Sequence, residues 1–333
     1  MNIELQFTSL KNEQRKKKKK LPRKIFDIFI IVFILINSLG LYIGNILYKQ
    51  TFEINTREEL DQMEKYKNTF NEVRYNSLEK ESISIASRNN YRLYGTFIKN
   101  GKETKNTVII LHGLSGSRWT AMKYADMYLD KGFNVFVYDG RNHGYSKGNN
   151  TTYGFFESDD LDKIIDFIYK KNNGGIIGVH GEDIGGVAAL LQAKKNEDKK
   201  IVSFYVVDSA FSDLNEYFTL KFKNKYNLKY KFLIKPFIFY LDEINRIKNG
   251  FYLNEVSPIN ILKEIKTPIM FIHGSNDSVV PKSMAEDMYN VKENNKKIYI
   301  VPNSEHGETY FTDEDEYTQK VNEFIDSVLL KSN

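Results

Sequence analysis

Short apolar runs alternate with helical patterns from residue 82 to the end of the chain, and this alternation limits the fold more than any other feature. Apolar runs bounded by turn residues are typical of parallel strands that are covered on both faces. Their alternation with helices predicts an α/β fold with a mostly parallel central sheet and helices on both faces. The runs are TVIILH (107–112), NVFVYD (134–139), IIGVHG (176–181), IVSFYVVD (201–208), PIMFIHG (268–274) and KIYIVP (297–302).

Two stretches do not follow this alternation. SISIAS (82–87) and YRLYGTFIK (91–99) predict two antiparallel strands that lead into the sheet. Between the runs at 201–208 and 268–274 lie about 60 residues rich in Phe, Tyr and Lys, and a structureless loop of that length is uncommon in a compact domain. We therefore predict a small helical lid over about 211–262, lying across the strand ends.

The amino terminus combines a basic tail with an apolar segment. No charged residue occurs from Ile28 to Tyr48, a length close to the roughly 20 residues that cross a bilayer. The preceding basic flank favours a transmembrane signal anchor at 25–48. A buried core helix and a cleaved signal peptide are the alternatives. Residues 49–81 are polar and predict a spacer, so the folded domain is expected at 82–333.

The charge distribution indicates which partner the basic residues have. Residues 1–24 contain nine Lys and Arg and two Glu, a balance of 9 − 2 = +7, while the whole chain carries +5. A nucleic-acid-binding protein would spread its basic residues over a folded surface, so we expect a membrane partner and no nucleic acid. The positive-inside rule places this tail in the cytoplasm, which makes the chain a single-pass protein of the cell membrane with an extracytoplasmic domain.

The motif GEDIGG (181–186) joins a predicted strand to a predicted helix. Its spacing, Gly-x-Asp-x-Gly, matches a nucleophile elbow in which Asp183 replaces the usual serine. Glycines are required there because the turn is sharp and backbone segments approach closely. The amides at the helix start favour an anion at this position. An ordinary glycine-rich turn is the alternative for the motif taken alone.

A second motif, HGLSG (112–116), ends the strand TVIILH. In hydrolases with a nucleophile elbow, this turn supplies a backbone N–H to the oxyanion hole. We therefore predict an oxyanion hole formed by the amides of Leu114 and Ile184.

An acid and a histidine follow at later strand ends. Asp277 comes after PIMFIHG and His306 after the last strand, which gives the chain order nucleophile, acid, histidine. Asp277 would hold the His306 ring in one tautomer and stabilise its cation. Taken singly, Asp277 is also a candidate helix cap and His306 a surface loop residue. The order favours a triad of Asp183, Asp277 and His306, with His143 structural and His180 buried on its strand.

These motifs together resemble the α/β-hydrolase superfamily, and within it the bacterial membrane-anchored serine hydrolases of the BEM46/YqkD type. The resemblance implies an α/β-hydrolase fold and the placement of the triad, but it says little about the substrate. We expect a hydrolase acting on a small-molecule or lipid-like substrate. It covers about 82–330 and lies in HGLSGSRW (112–119), YDGRNHGYSKG (138–148), GEDIGG (181–186), VSPINILKEIKTPIMFIHGSNDSVVP (256–281) and VPNSEHGETY (301–310).

Asp183 departs from this pattern, which implies serine. An aspartate nucleophile resembles the haloalkane dehalogenases and epoxide hydrolases, because an ionised carboxylate attacks saturated carbon and water activated by histidine hydrolyses the resulting ester. The likeness is incomplete, since Ile184 stands where the dehalogenases have a halide-binding Trp. Lid tyrosines of the kind that epoxide hydrolases use are present but are common throughout the chain: Tyr217, Tyr226, Tyr230 and Tyr240.

Three functions remain open on these residues. The first is a hydrolase of an ester, epoxide or related substrate that uses the Asp-Asp-His triad. The second is a catalytically inactive relative that acts as a binding or interaction protein. The third is an ordinary serine esterase in which this one residue has been replaced. No metal is indicated, since cysteine is absent and no His-x-x-x-His pair occurs, and no organic cofactor is indicated either.

Overall fold

The computed structural model describes residues 23–54, 66–114 and 116–330. The predicted cytoplasmic tail, 1–24, lies outside the described residues except for its last two. The described residues contain one eight-stranded sheet with the order β1-β2-β4-β3-β5-β6-β7-β8. Its strands are β1 (Lys80–Ala86), β2 (Arg92–Ile98), β3 (Thr107–Leu111), β4 (Asn134–Asp139), β5 (Ile177–Glu182), β6 (Val202–Asp208), β7 (Ile269–Gly274) and β8 (Lys296–Val301).

The pairing confirms a mostly parallel sheet with an antiparallel entry. β1 pairs with β2 and β2 with β4 in antiparallel register, and the remaining neighbours are parallel. Strands β3, β4, β5 and β7 are buried at every position, as expected for strands covered on both faces. Because β3, β5, β7 and β8 run in the same direction, the loops after them meet at one edge of the sheet.

Helices cover both faces of the sheet and account for the two apolar cores. They are α1 (Arg23–Thr51), α2 (Glu72–Ser77), α3 (Arg118–Ala121), α4 (Ala125–Asp130), α5 (Phe155–Lys171), α6 (Ile184–Lys199), α7 (Leu214–Lys225), α8 (Lys235–Asn249), α9 (Ser283–Val291), α10 (Thr309–Thr312) and α11 (Glu314–Leu329). One core contains side chains of α5, α6 and α9, and the other contains side chains of α4 and α11. The predicted α/β fold with helices on both faces is confirmed.

Helices α7 and α8, with the segment between them, fall within the predicted lid and are called the cap here (214–249). The remainder of the predicted lid returns to the sheet through three short 3₁₀ turns, Leu253–Glu255, Pro258–Asn260 and Leu262–Glu264. The cap is packed on the domain, since Leu214, Phe218 and Leu241 are fully buried.

Helix α1 is long and apolar enough to cross a membrane, by its length and composition. The side chains from Ile25 to Ile36 are exposed, whereas Leu47, Tyr48 and Phe52 are buried in the domain core. The helix therefore differs from the predicted 25–48 at both ends and is continuous with the packed protein, because aromatic residues at its carboxyl end have partners in the domain.

The segment predicted as a spacer, 49–81, is divided differently in the structure. It begins inside α1, and its last two residues already belong to β1. Phe70 stacks on Trp119 with ring centroids 6.2 Å apart, and Tyr75 meets the same ring edge-on at 5.7 Å. These aromatic contacts attach the described end of the segment to the domain, so that end is not a free stalk.

Candidate active site

Asp183 occupies a strained turn between β5 and α6. Its φ of 51° and ψ of −117° lie outside the regions that L-residues favour, a strain that costs about 1–3 kcal/mol. The amide of Asp183 donates to the carbonyl of Asp208 at 2.8 Å, which ties the turn to the end of β6. Such a conformation pushes the side chain out over the sheet edge, as an elbow requires.

Three glycines allow this turn to form. A Cβ on Gly181 would lie 2.3 Å from the carbonyl oxygen of Gly185, and a Cβ on Gly185 would lie 2.7 Å from Cβ of Leu111. Gly113 faces the site itself, since a Cβ there would lie 3.2 Å from Cβ of Asp183. The motifs therefore contain glycine because neighbouring backbone and the side chain of Asp183 occupy the space that a Cβ would need.

The two oxygens of the Asp183 carboxylate face different partners. Oδ2 accepts the backbone N–H of Leu114 at 2.9 Å. Oδ1 lies 3.9 Å from Nε2 of His306. The amide of Ile184, the other predicted donor, stands at the first residue of α6 and makes no hydrogen bond to a described residue. The structure thus places one predicted oxyanion-hole amide on the carboxylate and leaves the second beside it.

Asp277 and His306 are in direct contact. Nδ1 of His306 lies 2.7 Å from Oδ2 of Asp277, while Oδ1 of Asp277 accepts the amides of Val279 and Val280 at 2.9 and 2.8 Å. Burial alone would raise the pKa of Asp277, but hydrogen bonds from His273 and His306 outweigh it and hold that pKa well below its usual range. The carboxylate stays ionised and fixes the His306 ring in one orientation.

The charge on His306 depends on Asp183. Burial lowers the pKa of His306, but the hydrogen bond to Asp277 and the charge of Asp183 outweigh it and raise that pKa to about 9. The ring is therefore protonated at neutral pH. Any reaction that neutralises Asp183 removes part of this effect, which lowers the pKa of His306 and favours the neutral ring.

A buried ion pair beneath the elbow was not predicted from the sequence. Nζ of Lys123 lies 2.9 Å from Oε1 of Glu182 and donates to the carbonyl of Gly307 at 3.0 Å. Both charged residues are only 7 % exposed. Lys123 therefore links the residue before Asp183 to the residue after His306. A single sequence feature signals this pair, the acidic Glu182 at the variable position of the elbow. That signal does not identify Lys123 as its partner.

The cap contributes two polar side chains near the carboxylates. Nζ of Lys221 donates to the hydroxyl of Tyr217 at 3.4 Å, and both residues lie on α7. Burial, followed by the charges of Asp183 and Asp277, raises the pKa of Tyr217. Burial lowers the pKa of Lys221, and the charge of Asp183 opposes this. Tyr217 was among the four lid tyrosines named from the sequence, but nothing there distinguished it from the others.

The remaining histidines have structural surroundings. His180 is fully buried, as predicted, and lies 2.9 Å from the hydroxyl of Tyr128 and 3.3 Å from that of Tyr317. Nδ1 of His143 contacts the carbonyl of Arg141 at 2.7 Å, and its ring meets that of His112. Within 23–54, 66–114 and 116–330, no group of three His, Cys, Asp or Glu is arranged to hold a metal ion.

Comparison with known proteins identifies relatives of this chain. The profile described as alpha/beta hydrolase fold matches residues 106–237, and the profile of the prolyl oligopeptidase family matches 176–332. The uncharacterized protein YqkD of Bacillus subtilis is 34 % identical over 255 residues, which cover 76 % of this chain and 82 % of that protein. Protein bem46 of Schizosaccharomyces pombe is 21 % identical over 301 residues, with 89 % of each chain covered.

A solved structure agrees with these sequence relatives. The Pyrococcus furiosus esterase Pf2001 superposes with a TM-score of 0.61 at 26 % identity, over 75 % of this chain and 93 % of the esterase. Both profile matches include the elbow at 181–186. The chain belongs to the α/β-hydrolase superfamily, among the BEM46-type relatives of YqkD.

Proposed function

We propose that the protein is a membrane-anchored hydrolase that uses Asp183 as nucleophile, His306 as base and Asp277 as the acid that orients the base. The observation that carries this proposal is that the two oxygens of the Asp183 carboxylate have different contacts. Oδ2 of Asp183 accepts the Leu114 amide at 2.9 Å, and Oδ1 is directed to His306 at 3.9 Å. One oxygen is thus held by a backbone donor while the other remains available to attack.

In the first step, Oδ1 attacks a saturated carbon that bears a leaving group, such as an epoxide carbon. A bond forms between Oδ1 and that carbon, the bond to the leaving oxygen breaks, and the electron pair goes to that oxygen. The hydroxyl of Tyr217 gives it a proton, with Lys221 as the neighbouring cation, and solvent restores the phenol. The product is an ester on Asp183.

In the second step, water hydrolyses that ester. The ester carries no charge, so the pKa of His306 falls, the ring releases its proton to solvent and Nε2 becomes a base. Nε2 takes a proton from water as the water oxygen bonds to Cγ of Asp183. The negative charge that develops on Oδ2 is held by the Leu114 amide and by the Ile184 amide beside it. As this intermediate collapses, the bond between Cγ and Oδ1 breaks and Oδ1 leaves with the substrate carbon as an alkoxide. The alkoxide takes the proton of the new hydroxyl, which releases the alcohol and restores the carboxylate of Asp183.

An acyl ester suits this site less well than an epoxide. The carbonyl oxygen of such a substrate needs the oxyanion hole, and Oδ2 of Asp183 already occupies the Leu114 donor. Attack by a carboxylate on an acyl carbon would also give a reactive anhydride. We therefore propose an epoxide or another electrophile at saturated carbon as substrate class.

The test is to capture the ester. His306→Gln removes the base and should leave the covalent ester on the peptide that contains Asp183, detected by mass spectrometry after exposure to terminal epoxides and haloalkanes. The matched control, His306→Gln combined with Asp183→Asn, should carry no adduct. If His306→Gln carries no adduct with any epoxide or haloalkane, Asp183 is not the nucleophile. The same conclusion follows if the double variant carries as much adduct as His306→Gln.

The occupied oxyanion hole also favours a second candidate, a protein of this fold that binds a ligand without turnover. In that case Asp183→Ser should free the Leu114 amide and generate esterase activity that the natural chain lacks. An ester on Asp183 in the experiment above would exclude this candidate.

The anchoring is part of the same proposal. The length and composition of α1 support a single crossing, and the basic residues before it support a cytoplasmic amino terminus. Protease added outside intact cells should then digest the hydrolase domain, while a tag at residue 1 should be cut only after the cells are opened. Cleavage of the tag in intact cells would contradict this orientation.

A further inference from the structure

The cap carries a basic and aromatic sequence that the hydrolase site does not explain. Beyond Lys221, residues 223–241 contain five Lys and no Asp or Glu. Large apolar side chains are exposed among them, with Phe232 62 % exposed and Phe239 55 % exposed. Lysines combined with exposed aromatic side chains are typical of segments that lie in the interface of an anionic bilayer.

The cap is joined to α1 by a close helix crossing. A Cβ on Gly40 would lie 2.2 Å from the Tyr240 ring, and a Cβ on Gly44 would lie 2.6 Å from the carbonyl oxygen of Tyr240. The hydroxyl of Tyr240 donates to Oδ1 of Asn37 at 3.2 Å. Small residues four positions apart let two helices approach this closely. The position of Tyr240 relative to α1 is therefore fixed.

Helices α1 and α8 run in the same direction along this contact. Tyr240 lies beside Gly40 and Gly44, whereas Lys248 contacts the Tyr48 ring and pairs with Glu53 at 2.8 Å. The amino-terminal end of α8 consequently points toward the exposed apolar half of α1.

This direction sets the depth of the cap. The uncharged stretch of α1 ends at Tyr48, and at 1.5 Å per residue Gly40–Gly44 lies about 6–12 Å inside that end. Phe237 lies about 4–5 Å farther along α8 toward its amino-terminal end. If α1 crosses a bilayer, the exposed rings of Phe237 and Phe239 lie within the hydrocarbon layer.

An apolar cavity of about 490 Å³ lies between α1 and the cap, a volume in the range of small-molecule binding sites. Ile43 and Leu47 of α1 form one wall, and Phe222, Leu233 and Phe237 of the cap form the other. None of the described residues that line it carries a charge. Tyr226 is the one polar side chain among the described lining residues. Water therefore has few hydrogen-bond partners there, while an alkyl chain has apolar contacts on two sides.

The same cap helix connects the cavity with the hydrolase site. Phe222 lines the cavity, and the residue before it, Lys221, is one turn from Tyr217, which carries the proposed proton donor. An alkyl chain lying in the cavity along α7 would therefore direct its polar end toward this pair and Asp183.

We propose that the cap is inserted in the leaflet on the domain side, and that the cavity receives an acyl chain of an anionic membrane lipid that enters from the bilayer. Binding follows from the cavity, the lysines and the fixed crossing with α1. Turnover of a functional group on that chain rests, in addition, on the hydrolase function proposed above.

Photolabelling in vesicles tests the binding site without any need for turnover. The full chain is reconstituted in phosphatidylcholine vesicles that contain phosphatidylglycerol with a diazirine at the end of one acyl chain. After illumination, mass spectrometry should find label on peptides of the cap near Phe222 and Leu233 and on α1 near Ile43. Label confined to the exposed stretch Ile25–Ile36 would overturn the proposal.

Variants separate the cavity from the surrounding surface. Leu233→Trp fills the cavity and should reduce label on the cap about tenfold, whereas Phe239→Trp, outside the cavity, should leave it unchanged. Ile43→Trp fills the cavity from the opposite wall. It is used in place of Leu233→Trp if the melting temperature of Leu233→Trp is well below that of the natural protein. Equal labelling of the cavity and control variants would refute an internal site.

Lipid charge gives a second readout. A phosphatidylcholine probe with the same diazirine chain should label the cap several-fold less, because the cap lysines attract anionic lipids and not zwitterionic ones. Equal labelling by the two probes would overturn the anionic preference. Cap labelling together with absence of an ester on Asp183 would reject the hydrolase alone, and an ester formed from soluble epoxides without cap labelling would reject the lipid site alone.

Discussion

The charge of Asp183 is one of the interactions that raise the pKa of His306. The pKa of His306 is about 9 in the folded protein, against an ordinary value of 6.5. A folded-state pKa above the unfolded value stabilises the protein fully below about pH 6.5, and this contribution is lost as the pH rises through about 9. It amounts to about 3 kcal/mol at most.

Asp183→Asn should reduce this pH dependence, because the charge that raises the pKa of His306 is removed. The melting temperature of the full chain in detergent should fall between pH 6.5 and 9 more steeply for the natural protein than for the variant. His306→Gln provides the control, since it removes the titrating ring. A natural protein and His306→Gln variant with the same slope would show that His306 does not titrate in this range.

Gly185 is expected to be required for the elbow. Gly185→Ala would place Cβ 2.7 Å from Cβ of Leu111 and 2.8 Å from the carbonyl oxygen of His112, an overlap that should destabilise the protein by about 1–3 kcal/mol. Gly140→Ala is the matched control, because its Cβ would stay 3.4 Å from the nearest atom, Nε2 of His112. Denaturant unfolding of both variants measures the difference, and equal destabilisation would contradict this account.

At the scale of single residues, the sequence predicts which side chains belong to the site better than it predicts which residues they contact. The motifs place Asp183, Asp277 and His306 at strand ends, and the structure brings them within contact or near-contact distance. The contact of Lys123 with Glu182 could not be predicted, because the two residues are 59 positions apart and neither belongs to a spacing pattern. Long-range partners of this kind are fixed by packing of the whole sheet.

Among the elements, Lys123 connects three that are distant in the chain. It follows α3, pairs with Glu182 at the end of β5 and binds the loop that carries His306 through Gly307. Burial raises the pKa of Glu182, and Lys123 opposes this. The pair therefore stabilises the geometry of the elbow and the histidine loop together.

Lys123→Met should destabilise the protein by about 3–5 kcal/mol, because Glu182 would remain buried without a countercharge. Lys123→Met combined with Glu182→Gln should recover much of this loss. A double-mutant cycle by chemical denaturation gives the coupling energy. Additive effects of the two substitutions would mean that the ion pair has no net role in stability.

Strands and helices were predicted more accurately than the segments between them. The apolar runs gave all six predicted parallel strands, and the entry pair became β1 and β2 with shifts of one or two residues at their ends. The polar segment 49–81 was less predictable, because Phe70 and Tyr75 are isolated in sequence and gain their partner only when Trp119 is brought near. Periodicity detects regular elements, whereas single aromatic contacts leave no pattern.

For the whole molecule, the carboxyl end of α1 and the domain share a core. Tyr48 stacks on Phe52 with ring centroids 5.0 Å apart, and Phe52 meets Tyr153 and Phe218 edge-on. Leu47 is 4 % exposed and Phe52 is fully buried. Each large apolar side chain buried in this way contributes about 1.5–3 kcal/mol.

A chain that begins at residue 55 should therefore be much less stable than one that begins at residue 46. Both lack the exposed apolar stretch, but only the longer one keeps Leu47, Tyr48 and Phe52. Circular dichroism during heating in the same mild detergent should show a cooperative transition for the longer chain and a lower, broader one for the shorter. Equal melting temperatures would show that the end of α1 is dispensable for the core.

If the site is catalytic and the cap is inserted in the membrane, as proposed above, the contact of Gly40 and Gly44 with Tyr240 has a kinetic consequence. A catalytic centre whose entrance is held at a constant depth meets its substrate by lateral diffusion in two dimensions. Its rate should then follow the mole fraction of substrate at the surface, and dilution with inert lipid should slow it even when the total amount of substrate in the sample is unchanged.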